Sequence, residues 1–193
     1  MNKTYRTEFC RVFLLPDLPE PLTRASEHLQ IFDNYIDNTR LRLRSIRAPH
    51  TREWFWILEQ RNQMQADDLS GWEVSEIHLN EAEHQLFEHF EGREVRKNER
   101  VDTNELRFNR YSFEANGKSM KIDFYLNPLW GLCLAKVLFQ TEEEMKAFIT
   151  PDFFLAEVTQ NENFLDRNLV GKTFAEVREE TENRKLIMEN EES

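Results

Sequence analysis

The chain has 193 residues, enough for one domain with a real core, and its 36 acidic against 25 basic side chains give a formal net charge of −11. That balance excludes a general nucleic-acid or anionic-membrane binder, which captures its partner with excess positive charge. Two cysteines without metal-type spacing, Cys10 and Cys133, exclude a disulfide framework and a zinc ribbon and point to a reducing cytoplasm, while the apolar run over 9–16, broken by Arg11, is too short for a signal or a membrane span.

Runs rich in Phe, Trp, Tyr, Val and Ile, separated by polar turns, read as predominantly β through the first four-fifths of the chain. Strands are predicted over 4–14, 29–37 and 39–46. The third holds Arg40-Leu41-Arg42-Leu43-Arg44, and alternate side chains of a strand share a face, so three guanidinium groups line up on one side. Same-face neighbours lie about 7 Å apart and repel by roughly 2 kcal/mol per adjacent pair at an effective dielectric near 20, so the ladder needs counter-charge. Protein carboxylates or a bound phosphate both qualify; guanidinium suits phosphate because its planar fork is bidentate and stays protonated.

Strands over 53–61 and 72–79 follow. The first contains Trp54-Phe55-Trp56, read as core, with a base-stacking platform as the alternative. A helix beginning near Asn80 sets Ala82, Leu86 and Phe90 at core-facing spacing. His84 and His89 on it are five residues apart, which does not place them on one face for a metal. Further strands are predicted over 94–102, 105–114, 118–126, 132–140 and 154–159. Asn116-Gly117 between the second and third of these is a type I′ hairpin signal. Two capping boxes, Thr141 with Glu144 and Thr173 with Glu176, open helices. Past residue 179 the chain is acidic and poor in large apolar groups, so the expectation is one domain over 1–178 and a fraying tail over 179–193. Many antiparallel strands with few helices give an α+β class, an antiparallel β-barrel with helices packed outside.

The five glycines, Gly71, Gly92, Gly117, Gly131 and Gly171, fall in no phosphate-loop, dinucleotide or nucleophile-elbow spacing. Any phosphate must therefore be held by side chains. No Ser-His-Asp or Cys-His order is recognisable, and Cys10 reads as a small buried side chain before it reads as a nucleophile.

Taken in order, several segments resemble the CYTH domain family, the triphosphate tunnel metalloenzymes, over roughly residues 5–174. Ile36 with the run over 38–44, which ends in Leu41-Arg42-Leu43-Arg44, is similar to its paired-arginine second strand. Arg110-Tyr111, then Asn116-Gly117 and Ile122-Asp123-Phe124, is similar to its Asp-containing hairpin. Gly131-Leu132, Ala135, Val137, the helix over 141–148, Pro151, Glu157-Val158-Thr159, Phe164 and Leu169 follow its C-terminal half. The resemblance implies an eight-stranded tunnel in which Arg and Lys grip a triphosphate and glutamates hold divalent metal.

Carried over residue by residue, it implies phosphate-binding roles for Arg42, Arg44 and Arg110, to which the expected lining adds Arg40 and Lys136, and a metal set of Glu8, Asp123 and Glu157 for Mg²⁺ or Mn²⁺. The chain departs from the pattern in several places. Cys10 and Val12 stand for the second Glu and the Lys of Glu-x-Glu-x-Lys, and Phe108 for a Lys. Gln60 stands near a strand-end Lys, with Arg61 beside it, and Lys136 and Leu138 replace a Glu-x-Glu metal pair. The expected lining is net positive, with Glu76 as a further acid and apolar patches at Cys10, Val12, Leu58, Phe108 and Leu138. The implied function is a tunnel that binds a small phosphate-rich anion, with metal-dependent hydrolysis weak or lost. An active Mg²⁺-dependent triphosphatase with a rearranged site and a single-stranded RNA or protein interaction module are the alternatives.

Overall fold

Period-2 alternation of apolar and polar residues builds most of the molecule, whose computed structural model describes residues 4–87, 93–96, 99–102 and 104–180. In chain order it gives β1 (Thr4–Leu14), β2 (Leu29–Tyr35), β3 (Leu41–Ala48), β4 (Glu53–Gln65), β5 (Asp68–Leu79), α1 (Glu81–Phe87), β6 (Arg93–Arg96) and β7 (Glu99–Asp102). Then come β8 (Glu105–Ala115), β9 (Lys118–Tyr125), β10 (Cys133–Phe139), α2 (Glu142–Ala147), β11 (Ala156–Glu157), a 3₁₀ turn (Glu162–Phe164), α3 (Asp166–Leu169) and α4 (174–180).

The main sheet runs β10-β9-β8-β2-β3-β4-β5-β1, and β1 pairs back onto β10, so eight antiparallel strands close a barrel. Closure removes the free edges that an open sheet would expose. The α+β barrel expected from sequence is thus the fold. The single strand expected over 94–102 is instead the hairpin β6–β7, a separate two-stranded sheet. The expected hairpin at Asn116-Gly117 is present: both residues have positive φ, 53° and 71°, and Ala115 faces Lys118. The Thr173–Glu176 box forms reciprocally; at Thr141 the hydroxyl accepts from Glu144 N–H while the Glu144 carboxylate accepts from Gln140 N–H, one residue earlier; and a third box, Asn80 with Glu83, opens α1 by reciprocal bonds of 2.8 and 3.0 Å.

α1 fixes which face of each strand is outside. Its His84 meets Ser45 of β3 at 3.3 Å and stacks on Trp56 of β4, so the opposite face, with Arg42, Arg44 and Glu59, lines the interior. His84 is the buried residue of α1, whereas Leu86 and Ala82 are exposed, contrary to the core face read from spacing; Phe90 lies outside the described residues. The helix has only two turns, and the capping geometry turns its His toward the sheet.

Two apolar clusters hold the barrel. One covers the outside of β1, β8, β9 and β10, with Phe13, Tyr111, Ile122, Val137 and Phe139 under Met145 of α2. The other fills part of the interior, with Ile31, Phe108, Tyr125 and Leu134 closed over by Phe164 and Leu169 from the C-terminal segment. Among the described residues no helix is long and apolar enough to cross a membrane. α4 carries helix to residue 180, past the expected start of the tail at 179; residues 181–193 lie outside the described residues.

Candidate functional site

The arginine ladder of β3 divides on folding. Arg44 is buried and bound twice to Asp33 of β2, Nε to Oδ1 and Nη2 to Oδ2, each at 2.6 Å. Arg42, also buried, donates through Nη1 to Asp33 at 3.0 Å, to the Tyr35 hydroxyl at 3.2 Å and to Asp166 at 3.2 Å, while its Nη2 lies 2.7 Å from Glu59. The Nε of Arg42 is buried with no hydrogen-bond partner. Arg40 lies beyond the strand end, exposed, with Nη1 on Asn62 at 2.6 Å.

The opposite wall is paired in the same way. Arg110 grips Asp123 with two bonds of 2.7 and 2.8 Å, and Lys136 reaches Asp123 at 3.3 Å and Asp166 at 2.7 Å. On β1, Glu8 joins Arg61 at 2.6 Å and Arg6 at 2.7 Å, and Arg6 also pairs with Glu76. Burial raises the cost of ionising Glu8, Asp33 and Asp166, yet adjacent cations outweigh it and hold all three carboxyls below their ordinary range. Arg61 and Arg6 do this for Glu8, Arg42 and Arg44 for Asp33, and Lys136 and Arg42 for Asp166.

The net positive lining expected from sequence is corrected by these pairs. Asp33, Glu59 and Asp166 all turn inward, so the interior is a charge-balanced network. Leu58, expected to line the tunnel, lies opposite Leu43 on the outer face, and its neighbour Glu59 points in. Of the two register choices for β5, Glu76 shares the face of Glu59 and Glu73 does not. Cys10 is buried in the wall and burial pushes its thiol upward, which leaves it a neutral apolar group.

The proposed metal set is not brought together. Glu8 and Asp123 are each held by two cations, and Glu157 pairs at 2.6 Å with Arg11. Arg11 belongs to the outward phase of β1, where it also bonds the Phe148 carbonyl and covers the Phe13 ring. Among the described residues no group of three or more His, Cys, Asp or Glu is arranged to hold a metal ion. These carboxylates do not fit a divalent cation, because each already spends its charge on Arg or Lys.

One end of the interior opens into a cavity of about 590 Å³ between β1, β3, β4, β5, β10 and the segment over 158–168. Its charged lining is Arg40, Arg42, Arg61, Lys136 and Arg167 against Glu59 and Asp166, with amides from Asn62, Gln63, Asn161 and Asn168. An apolar floor of Val12, Leu69, Trp72 and Phe164 completes it. An adjoining cavity of about 490 Å³ shares Tyr35, Arg40 and Arg167, so the two arginines stand at a common mouth. Arg40, Arg42 and Lys136 of the expected phosphate set reach this cavity; Arg44 and Arg110 do not line it.

Sequence reasoning missed Asp33, Glu59, Asp166 and Arg167. Asp33 and Glu59 carried a usable signal, because each sits between apolar or aromatic residues of its own strand face, Ile31 and Tyr35 in one case and Ile57 in the other. Asp166 and Arg167 carried none.

No protein-family model and no curated protein matches this sequence. Among solved structures it is similar to two crystal structures of NE1496. One, described as a hypothetical protein, gives a TM-score of 0.55 at 20% identity over 86% of this chain and 99% of that one. The other, described as the inorganic triphosphatase NE1496, gives 0.54 at 20% identity over 86% and 95%. A putative adenylyl cyclase from Hippeastrum, HpAC1, described as having a dominant triphosphatase activity, matches with a TM-score of 0.42 at 14% identity over 72% and 82%, too slight a likeness to argue from. The class is therefore set by the fold: a closed antiparallel tunnel barrel with helices outside. It is the fold of NE1496, and the fold that the CYTH resemblance of the sequence implied.

Proposed function

We propose that this protein is a divergent CYTH-type tunnel protein that binds a small phosphate-rich anion in the cavity at the open end of its barrel, with metal-dependent hydrolysis weak or lost. The observation that carries the reading is the cavity's lining: Arg42, Arg61 and Lys136, balanced from behind by Asp33, Glu8 and Asp123, are joined at the mouth by Arg40 and Arg167, which stand outside that paired interior, in a chain whose formal net charge is −11. A local positive concavity in an acidic protein attracts anions that the rest of the surface repels. Arg42, with a buried and unpartnered Nε, Arg61 and Lys136 would grip phosphate oxygens inside, and Arg40 and Arg167 would hold them at the mouth.

The fold shared with a triphosphatase supports the tunnel reading, and the pairing of Glu8, Asp123 and Glu157 with cations supports weak or absent hydrolysis. Lys136 stands on β10 where the family pattern has a metal-binding Glu-x-Glu. An ammonium there repels the divalent ion that would polarise the phosphoryl group.

Calorimetric titration with tripolyphosphate, with and without Mg²⁺, tests the reading, with an Arg61→Ala control and a phosphate-release assay beside it. Binding without Mg²⁺ that is lost in Arg61→Ala, together with negligible phosphate release, is the expected result. Absence of binding under both conditions overturns it, and Mg²⁺-dependent turnover would establish the triphosphatase instead.

A further inference from the structure

The interior carboxylates differ in where they come from. Glu8, Asp33, Glu59, Glu76 and Asp123 belong to barrel strands, whereas Asp166 is delivered by α3, a single turn outside the barrel. Its carboxylate is nevertheless the most heavily bonded in the cavity. Oδ1 accepts from Lys136 Nζ at 2.7 Å and from the Tyr125 hydroxyl at 2.8 Å; Oδ2 accepts from Lys136 at 2.9 Å and from Arg42 at 3.2 Å. The three donors stand on β10, β9 and β3, so the closed barrel alone brings them together.

Two of these donors have barrel-borne counter-charges already. Lys136 has Asp123, and Arg42 has Asp33 and Glu59. The third is a phenol that burial, reinforced by the nearby Asp166 and Asp123 carboxylates, keeps protonated and donating. Taking Asp166 away would leave both cations still touching a strand carboxylate, but Asp123 is shared with Arg110 and Asp33 with Arg44, so the four cations would face three carboxylates and one anionic place would be left for a ligand to fill. An ammonium, a guanidinium and a hydroxyl converging on two oxygens also form the coordination that a terminal phosphoryl group uses.

Building on the anion-binding reading above, we propose that Asp166 is the resident anion of the innermost ligand subsite, and that a terminal phosphate binds by taking its place on Lys136, Arg42 and Tyr125. Binding is then an exchange. The ligand gains those donors only as α3 gives them up, and the affinity of the unmodified protein is the difference between the two.

Asp166→Asn keeps the side chain's size and removes its charge, and should tighten tripolyphosphate binding at least tenfold by calorimetry. Glu162→Gln, four residues away, removes the same charge and should leave affinity unchanged. In the unmodified protein, saturating tripolyphosphate should speed hydrogen exchange at the amides of Leu165, whose bond to Glu162 closes the 3₁₀ turn leading into α3, and of Asn168 and Leu169, whose bonds to Leu165 hold the α3 turn. That measurement decides the matter even if Asp166→Asn does not fold. Tripolyphosphate binding that Asp166→Asn leaves unchanged or weakens, or unaltered exchange over 165–169 in the bound protein, overturns the exchange. No binding by either protein overturns the anion-binding reading itself.

Discussion

Asp33 and Arg44 face each other across the β2–β3 ladder and share two parallel hydrogen bonds of 2.6 Å, with Asp33 wholly buried. Asp33 also takes Arg42, so one carboxylate supplies the counter-charge that the arginine ladder requires. Removing it leaves two buried guanidinium groups short of a partner, and breaking a buried pair from one side costs about 3–5 kcal/mol. Asp33→Ala should therefore lower the urea unfolding free energy by about that amount, whereas Asp33→Leu with Arg44→Met should recover most of it. A single Asp33→Ala variant as stable as the parent would show that the pair is not structural.

Arg44 and Arg61 should separate scaffold from site. Arg44 is spent on Asp33 and does not line the cavity, while Arg61 does. Arg44→Met is expected to lose stability and keep its affinity for tripolyphosphate; Arg61→Ala is expected to lose affinity more than tenfold. Equal losses of affinity in the two variants would return the whole ladder to the binding site.

Acid should unfold the protein through its interior carboxylates. Asp33, Asp166 and Glu8 are held below their ordinary range in the folded state, so below about pH 4 the unfolded chain binds more protons than the folded one. Their contribution is complete above that pH and drains away as the pH falls through the lower folded values. The urea midpoint should hold between pH 7 and pH 5 and drop sharply by pH 3. A midpoint that is flat down to pH 3 would contradict the network.

Glu157 provides the contrast. Its pair with Arg11 is half-exposed, a kind worth about 0.2–1 kcal/mol, and it is absent from the cavity wall. Glu157→Ala should change neither tripolyphosphate affinity nor its Mg²⁺ dependence, as read by calorimetry. A loss of Mg²⁺-dependent binding in this variant would restore the metal set read from sequence.

Gly131 precedes β10 at φ 104°, and a Cβ there would lie 3.2 Å from the Phe174 ring. Gly131→Ala combines left-handed strain with that close approach, so it should cost about 1–3 kcal/mol in urea unfolding. A neutral substitution would mean that the ring and the turn give way freely.

Much of the barrel was legible because its signals are local. β1 and the Asn116-Gly117 hairpin lie where alternation and turn chemistry put them, and Thr141 and Thr173 cap as their sequences indicate. The third capping box escaped because Asn80 does the work of Ser or Thr. Leu86 was misplaced because a two-turn helix is oriented by its ends and not by a stripe. For the site, the cations Arg42 and Lys136 were readable from strand phase and resemblance, but their partners were not. Which carboxylate meets which cation depends on register between strands far apart in sequence, and Leu58 and Glu59 exchanged faces through a single step of that register.

The sequence by itself determined an antiparallel barrel, an arginine ladder in need of counter-charge and the lack of any glycine loop for phosphate, since alternation, turns and composition act over a few residues. Only the tertiary structure decided that Asp33 neutralises Arg44, that Glu157 lies with Arg11 on the outer face, and that Asp166 reaches Lys136, Arg42 and Tyr125. Those pairings join residues from 11 to 146 positions apart. Charges find each other over ångströms, and closure of the barrel sets those distances.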